Sequence, residues 1–232
     1  MTIKMADYIA PRIHPEGRPF IALFAVSTAL LAWLWSPLGW LGAALTVWCA
    51  TFFRDPDRVT PVQPGLVISS ADGQVCFVGS VVPPPELALQ APTVLKISVF
   101  MSVFDVHVNR SPLNGTVAHI TYVPGKFLNA SLDKASLDNE RLGVRLNLED
   151  GTEVGVVQIA GLVARRIKCF AKVGDVLQAG QRFGLIRFGS RVDIYLPETV
   201  VPLVAVGQRT IAGETVLADF NTGGAPRLAE VR

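Results

Sequence analysis

Three short polar stretches of this sequence hold residue types able to do acid–base or nucleophilic chemistry. In Ser70-Ala71-Asp72-Gly73-Gln74-Val75 a carboxylate sits in an Asp-Gly pair, a strong signal for a tight turn. In Phe104-Asp105-Val106-His107-Val108-Asn109-Arg110-Ser111-Pro112 a histidine follows a strand-like run and leads into a turn. Period-two alternation there puts Asp105, His107 and Asn109 on one face, and the imidazole titrates near neutrality. The third stretch is Arg187-Phe188-Gly189-Ser190-Arg191, a Gly-Ser pair between two apolar runs. A Gly-Ser pair there is commonly a turn or bulge. It also has a chemical use, because a serine hydroxyl beside its own preceding carbonyl can attack it where the backbone is unusual.

The elements that must position these groups are mainly strands. Beyond residue 67, short runs rich in Val, Ile, Leu and Phe alternate with Gly, Pro, Asn and Asp, and strands are expected at 75–82, 94–103, 116–122, 144–148, 153–159, 166–170, 183–187, 192–196 and 200–204. Residues 129–138 have room for one short helical turn, and 162–164 are too few to assign. The expected fold class is mainly β, with apolar helices kept apart from it. Val173-Gly174 through Ala179-Gly180 recurs 33 residues later as Val206-Gly207 through Ala212-Gly213. Pro112-Leu113-Asn114-Gly115 is a turn of related character. Such glycine spacing resembles the sandwiched barrel of biotinyl and lipoyl domains, a likeness of fold more than activity.

Of 232 residues, 21 are basic and 19 acidic, and residues 19–53 contain no charge and no histidine. Near-neutral charge argues against nucleic acid as a partner. The 35-residue block would reach roughly 50 Å as one helix, beyond a hydrocarbon core of roughly 30 Å. Ser36-Pro37-Leu38-Gly39 breaks it, which leaves either two tight spans or a re-entrant hairpin. The expected organisation is an N-terminal segment 1–18, a membrane anchor 19–53 and a β domain 54–232. Trp33, Trp35 and Trp40 mark one interface, while Arg18, Arg54 and Arg58 flank the other ends and place the domain on the cytoplasmic side of the cell membrane. Cys49, Cys76 and Cys169 form no paired motif and read as small buried hydrophobes, with no zinc site.

In this order, behind an anchor that ends Phe52-Phe53-Arg54-Asp55-Pro56, the motifs resemble the short bacterial and archaeal form of phosphatidylserine decarboxylase. Ser70-Ala71-Asp72-Gly73, Pro112-Leu113-Asn114-Gly115 with Tyr122-Val123-Pro124-Gly125, and Arg187-Phe188-Gly189-Ser190 carry the similarity over essentially the whole chain. The resemblance implies self-cleavage between Gly189 and Ser190 into a β chain 1–189 and an α chain 190–232. It implies a covalent pyruvoyl group made from Ser190, and phosphatidylserine in the bilayer as substrate. Asp72, His107 and Ser190 take the family's Asp-His-Ser roles, and Arg191, Asp105 and Asn109 are candidates to contact substrate. Longer members carry a second histidine where this chain has Arg110, so either His107 serves both roles or His119 takes one. Further oligomerisation is left open. The competing readings are a lipoyl-like carrier, because Asp133-Lys134-Ala135 copies a lipoylation tripeptide, and a zinc peptidase, for which three scattered histidines supply no ligand pair.

Overall fold

The computed structural model describes residues 12–125, 139–161, 166–187 and 189–221, so the expected helical turn at 129–138, the stretch 162–164 and the Asp133-Lys134-Ala135 tripeptide lie outside the described residues. The chain forms two compact units, Met1–Asp57 and Arg58–Arg232.

In the first unit the uncharged block becomes two helices, α1 (Arg18–Leu34) and α2 (Ser36–Phe52). The break falls at Trp35 alone, whose extended backbone (φ −163°, ψ 122°) ends one helix and leads into Ser36-Pro37 at the start of the next. Gly39 packs on Ala32 and Gly42 on Thr28, so closely that an added Cβ would overlap both. Thr28 and Thr46 join their hydroxyls at 2.9 Å across the pair. Small residues and interhelical hydroxyl bonds are how apolar helices associate without a hydrophobic drive between them. Pro15–Leu34 is long and apolar enough to cross a membrane, and Trp33 and Trp40 near the break are 85% and 78% exposed.

The second unit is antiparallel β structure. Its strands are β1 (Leu66–Ile68), β2 (Gly73–Val81), β3 (Val94–Met101), β4 (Val108–Arg110), β5 (Gly115–Val123), β6 (Arg141–Asn147) and β7 (Glu153–Ala160). They continue as β8 (Ile167–Cys169), β9 (Val176–Leu177), β10 (Arg182–Ile186), β11 (Ser190–Pro197), β12 (Val201–Pro202), β13 (Arg209–Thr210) and β14 (Val216–Asp219). An eight-stranded sheet runs β13-β2-β3-β11-β7-β6-β5-β9 and curls into a half-barrel, with two three-stranded sheets, β1-β14-β12 and β4-β10-β8. All nine expected strand runs are present. The five additional strands have two to four residues each, too few to show a period.

The topology is twofold. Read from either edge, the large sheet offers a two-residue strand from one glycine repeat (β13 or β9), then a nine-residue strand (β2 or β5). Both nine-residue strands carry a register shift after their third residue, at Val75/Phe77 and Val117/His119. The next strand is β3 or β6, and the eight-residue β11 and β7 pair at the centre. Hydrogen bonds repeat with the strands. Ser69 Oγ donates to Ala71 O and Ser111 Oγ to Leu113 O, each at 2.8 Å. Gly213 N donates to Ser69 O and Gly180 N to Ser111 O, again at 2.8 Å. Gly174, Gly180, Gly207 and Gly213 all have positive φ, so each copy of the sequence repeat builds the same turn pair and supplies one edge of the sheet.

Both faces of β11 are covered. Val192, Ile194 and Leu196 enter the main core with Ile97, Val99 and Val156, and Tyr195 packs with Leu87, Val94, Val157 and Ile159 on the opposite side. Along β11, Ser190 shares the main-core face with Val192, Ile194 and Leu196, while Arg191, Asp193 and Tyr195 alternate onto the opposite, equally buried face. Cys76 and Cys169 are free and half-buried, and burial pushes both thiols up from their ordinary range.

Candidate active site

Ser190 opens β11, opposite Met101 of β3 and Ala160 of β7. Its side chain is fully buried, with Oγ 3.9 Å from Met101 Sδ, a weak acceptor. Gly189 stands just before the strand at φ 66°, in the left-handed region that glycine enters without a Cβ clash. An added Cβ there would meet only Val103 Cγ1, at 3.9 Å. Both polar groups of Gly189 are held. Its N–H donates to His107 Nε2 at 3.3 Å, and its carbonyl accepts from Gly161 N–H at 3.0 Å.

His107 is fully buried, and its Nδ1 lies 2.9 Å from the Asp105 carbonyl oxygen. A carbonyl can only accept, so Nδ1 carries the proton and Nε2 of the neutral ring presents its lone pair toward Gly189. That tautomer is the one a general base at Nε2 requires.

Asp105 does not lie on a strand. β4 begins only at Val108, because the Asp105 carboxylate accepts from Ser102 N (2.8 Å) and Ser102 Oγ (2.7 Å) and closes a turn instead. The alternation expected for Asp105, His107 and Asn109 therefore holds only from the strand start onward. Burial alone would raise the Asp105 carboxyl, but the Ser102 hydroxyl and amide and the Arg209 guanidinium, at 2.5 Å, hold it below the usual carboxylate range. Asn109 is fully buried, accepts from Gln158 Nε2 at 2.7 Å and directs Nδ2 to Met101 Sδ at 3.6 Å. Met101 is thus shared by Asn109 and Ser190.

Asp72 precedes β2, at the end of the sheet where Met101 and Ser190 lie. Oδ1 accepts from Ala212 N and Oδ2 from Arg58 Nη2, both at 2.7 Å. Arg58, counted from sequence as a charge flanking the anchor, is instead a partner of this carboxylate within the β unit. The fold's other half shows which of these features are scaffold. Asn114 stands where Asp72 does, 42 residues on, and its Oδ1 accepts from Ala179 N at 2.8 Å. The turn anchor is common to both halves, whereas the negative charge is not. By the same offset Gly65 stands in the place of His107. A cavity of about 680 Å³ lined by Gly65, Leu66, Asn114, Glu149 and Ala179 occupies that second position. It lacks counterparts of the imidazole and the carboxylate, so its size does not make it the better candidate.

Arg191 meets a geometry different from the substrate contact expected of it. The residue is 1% exposed and makes a two-pronged pair with Asp193, Nε to Oδ1 at 2.8 Å and Nη2 to Oδ2 at 2.9 Å. Alternation along β11 puts both on the face opposite Ser190. Burial pulls the guanidinium down while Asp193 more than restores it, leaving it above its ordinary value. His119 lies on β5, three strand positions from β11, with Nε2 2.6 Å from Thr121 Oγ1. Arg110, at the family's second histidine position, is buried and donates from Nη1 to Gly180 O at 2.8 Å. Arg58, Met101, Gln158, Gly161 and Arg209 join the site with no signal in the sequence, since each is brought there by pairing across the fold.

The family model of phosphatidylserine decarboxylase matches residues 45–218, a span that includes Asp72, His107, Gly189 and Ser190. The chain belongs to the phosphatidylserine decarboxylase family. Three bacterial relatives bear the name phosphatidylserine decarboxylase proenzyme. The one from Paramagnetospirillum magneticum is 60% identical over 230 residues, covering 99% of this chain and 96% of its own. That from Beijerinckia indica is 64% identical over 210 residues, 90% of each chain. That from Ruegeria pomeroyi is 58% identical over 218 residues, 94% of this chain and all of its own. As a member of the family the chain is a decarboxylase, and the lipoyl-like carrier and zinc peptidase readings give way to that assignment.

Proposed function

We propose that this chain is a precursor that cleaves itself between Gly189 and Ser190 and then decarboxylates phosphatidylserine to phosphatidylethanolamine at the membrane surface. The observation that carries the reading is the grip on Gly189, one group to His107 and the other to Gly161, directly before a buried serine.

In the first reaction Ser190 Oγ attacks the Gly189 carbonyl carbon while its proton passes to a base, and His107 Nε2 is the group whose tautomer suits that task. The Gly189–Ser190 C–N bond then breaks in an N-to-O acyl shift, leaving an ester. Loss of the Ser190 α proton expels the Gly189 carboxylate as leaving group, and water releases ammonia from the dehydroalanine that remains. A serine is needed because one oxygen must be first a nucleophile and then part of the leaving ester. Asp72, the charged member of the duplicated turn, biases the imidazole toward its cation.

The pyruvoyl group so formed fits this position. Residue 190 begins a strand anchored on both sides, with Met101 beside it and Asn109 on the far side of that thioether, and Gly189 leaves space rather than a side chain before it. Such a group supplies an electron sink for the loss of carbon dioxide from an amino acid. His107 then serves as the proton donor at the reacting carbon, with Asp105 and Ser102 fixing its ring through the turn. The apolar helices hold the β unit, on the cytoplasmic side, against the bilayer where its substrate lies. The proposed organisation is the segment 1–18, the anchor 19–53 and the catalytic β domain 54–232, cut after residue 189.

The test is release of labelled carbon dioxide from vesicles containing carboxyl-labelled phosphatidylserine. The full chain is expected to release it and Ser190→Ala is not. Equal release by both proteins would refute the reading.

A further inference from the structure

The bond from Gly161 N to Gly189 O has a place in the chemistry that a ladder bond elsewhere in the sheet does not. β7 ends and β11 begins at the pair Ala160 and Ser190, and Gly161 faces Gly189 one step further along the same register. The acceptor is therefore the oxygen of the one carbonyl that Ser190 must attack. When Oγ adds to that carbon, the oxygen takes up a full negative charge.

The donor is fixed from its other end. The carbonyl of the Ala160–Gly161 peptide accepts from Asn139 Nδ2 at 2.8 Å, and Asn139 is fully buried. Ala160 N donates to Glu140 O at 2.9 Å. A peptide held at its oxygen is also polarised by that bond, which strengthens its N–H as a donor. The N–H thus needs no reorganisation as charge develops, and preorganised donors of this kind are a large part of acyl-transfer catalysis.

We infer that the Gly161 backbone N–H is the oxyanion donor for self-cleavage, stabilising the tetrahedral intermediate formed when Ser190 Oγ adds to Gly189. The inference rests on the proposed cleavage between Gly189 and Ser190. Once the ester has been eliminated, the same N–H faces the new Gly189 carboxylate and keeps the severed chain end in place.

The test replaces residue 161 by glycolic acid in full-length chain made by cell-free synthesis, which exchanges the N–H for an ester oxygen at almost unchanged shape. Conversion of precursor to two chains is followed by intact mass, beside the wild type and Gly161→Ala, which keeps the N–H. Near-UV circular dichroism checks that each precursor is folded. The ester chain is expected to cleave about 10²–10³-fold more slowly than wild type, with Gly161→Ala within a few-fold. Should the ester chain not fold, Gly161→Pro deletes the same donor by another route, with the same slowing expected. A folded, donor-less chain that cleaves at the wild-type rate overturns the inference alone. A wild-type chain that never splits at 189/190 overturns the reading beneath it as well.

Discussion

At the residue scale the site depends on a few side chains whose replacements have distinct signatures. Asp72→Asn keeps the acceptor bond that Asn114 makes in the equivalent turn and removes the charge, which also faces Arg58. The variant is expected to fold with wild-type near-UV circular dichroism and to cleave about 10²-fold more slowly, within the usual range for losing support of a general base. His107→Ala should abolish cleavage while His119→Ala leaves its rate within about twofold, as followed by gel densitometry. The opposite result would move the base to β5. Asp105 adds a pH dependence. Its folded-state carboxyl lies below the ordinary value, so it contributes stability that is present above the unfolded pKa and is lost as pH falls through the folded one. In an uncleaved Ser190→Ala background, urea midpoints should therefore drop from neutral pH into the acid range more steeply than those of the same chain carrying Asp105→Asn. Parallel acid limbs would contradict this.

At the scale of elements, β11 carries the serine on one face and a buried ion pair on the other. Arg191→Met leaves Asp193 charged without its two-pronged partner and is expected to lower stability by about 3–5 kcal/mol in the uncleaved background, measured by urea unfolding. Arg191→Met with Asp193→Leu should recover most of that loss. The sequence displayed the strands where an apolar-rich stretch of five or more residues marked them, even where only two or three of those residues pair, as in β8 and β12, and it displayed the motif of each catalytic candidate. The five additional short strands, β1, β4, β9, β13 and β14, and the partners Arg58, Met101, Gln158, Gly161 and Arg209 were illegible, because nothing local marks them. Arg209 reaches Asp105 across 104 positions of chain. Arg191 illustrates a different failure. Beside Ser190 in sequence it looked like a substrate contact, yet strand alternation sends neighbours to opposite faces. The internal repeat was visible only at its glycines, while the full duplication became evident from paired strands and matched hydrogen bonds.

For the whole molecule, the fold explains how a chain cut after Gly189, as proposed, would remain one protein. Residues 190–232 contribute β11 between β3 and β7, together with β12, β13 and β14, and Ala212 of that segment donates to Asp72. The two chains are expected to co-elute in native chromatography and to separate only under denaturing conditions. The apolar helices predict that the full chain stays with neutral vesicles in about 1 M salt as well as in dilute buffer, since charge screening does not weaken apolar burial. Release by salt would show that retention is electrostatic. The central claim, self-cleavage at Gly189-Ser190, is tested most directly by intact mass of the purified wild-type chain. The account predicts two species, residues 1–189 and residues 190–232, the latter lighter than its serine-initiated form by one ammonia and blocked to Edman degradation. A single 25.0 kDa chain that nonetheless decarboxylates phosphatidylserine would contradict it.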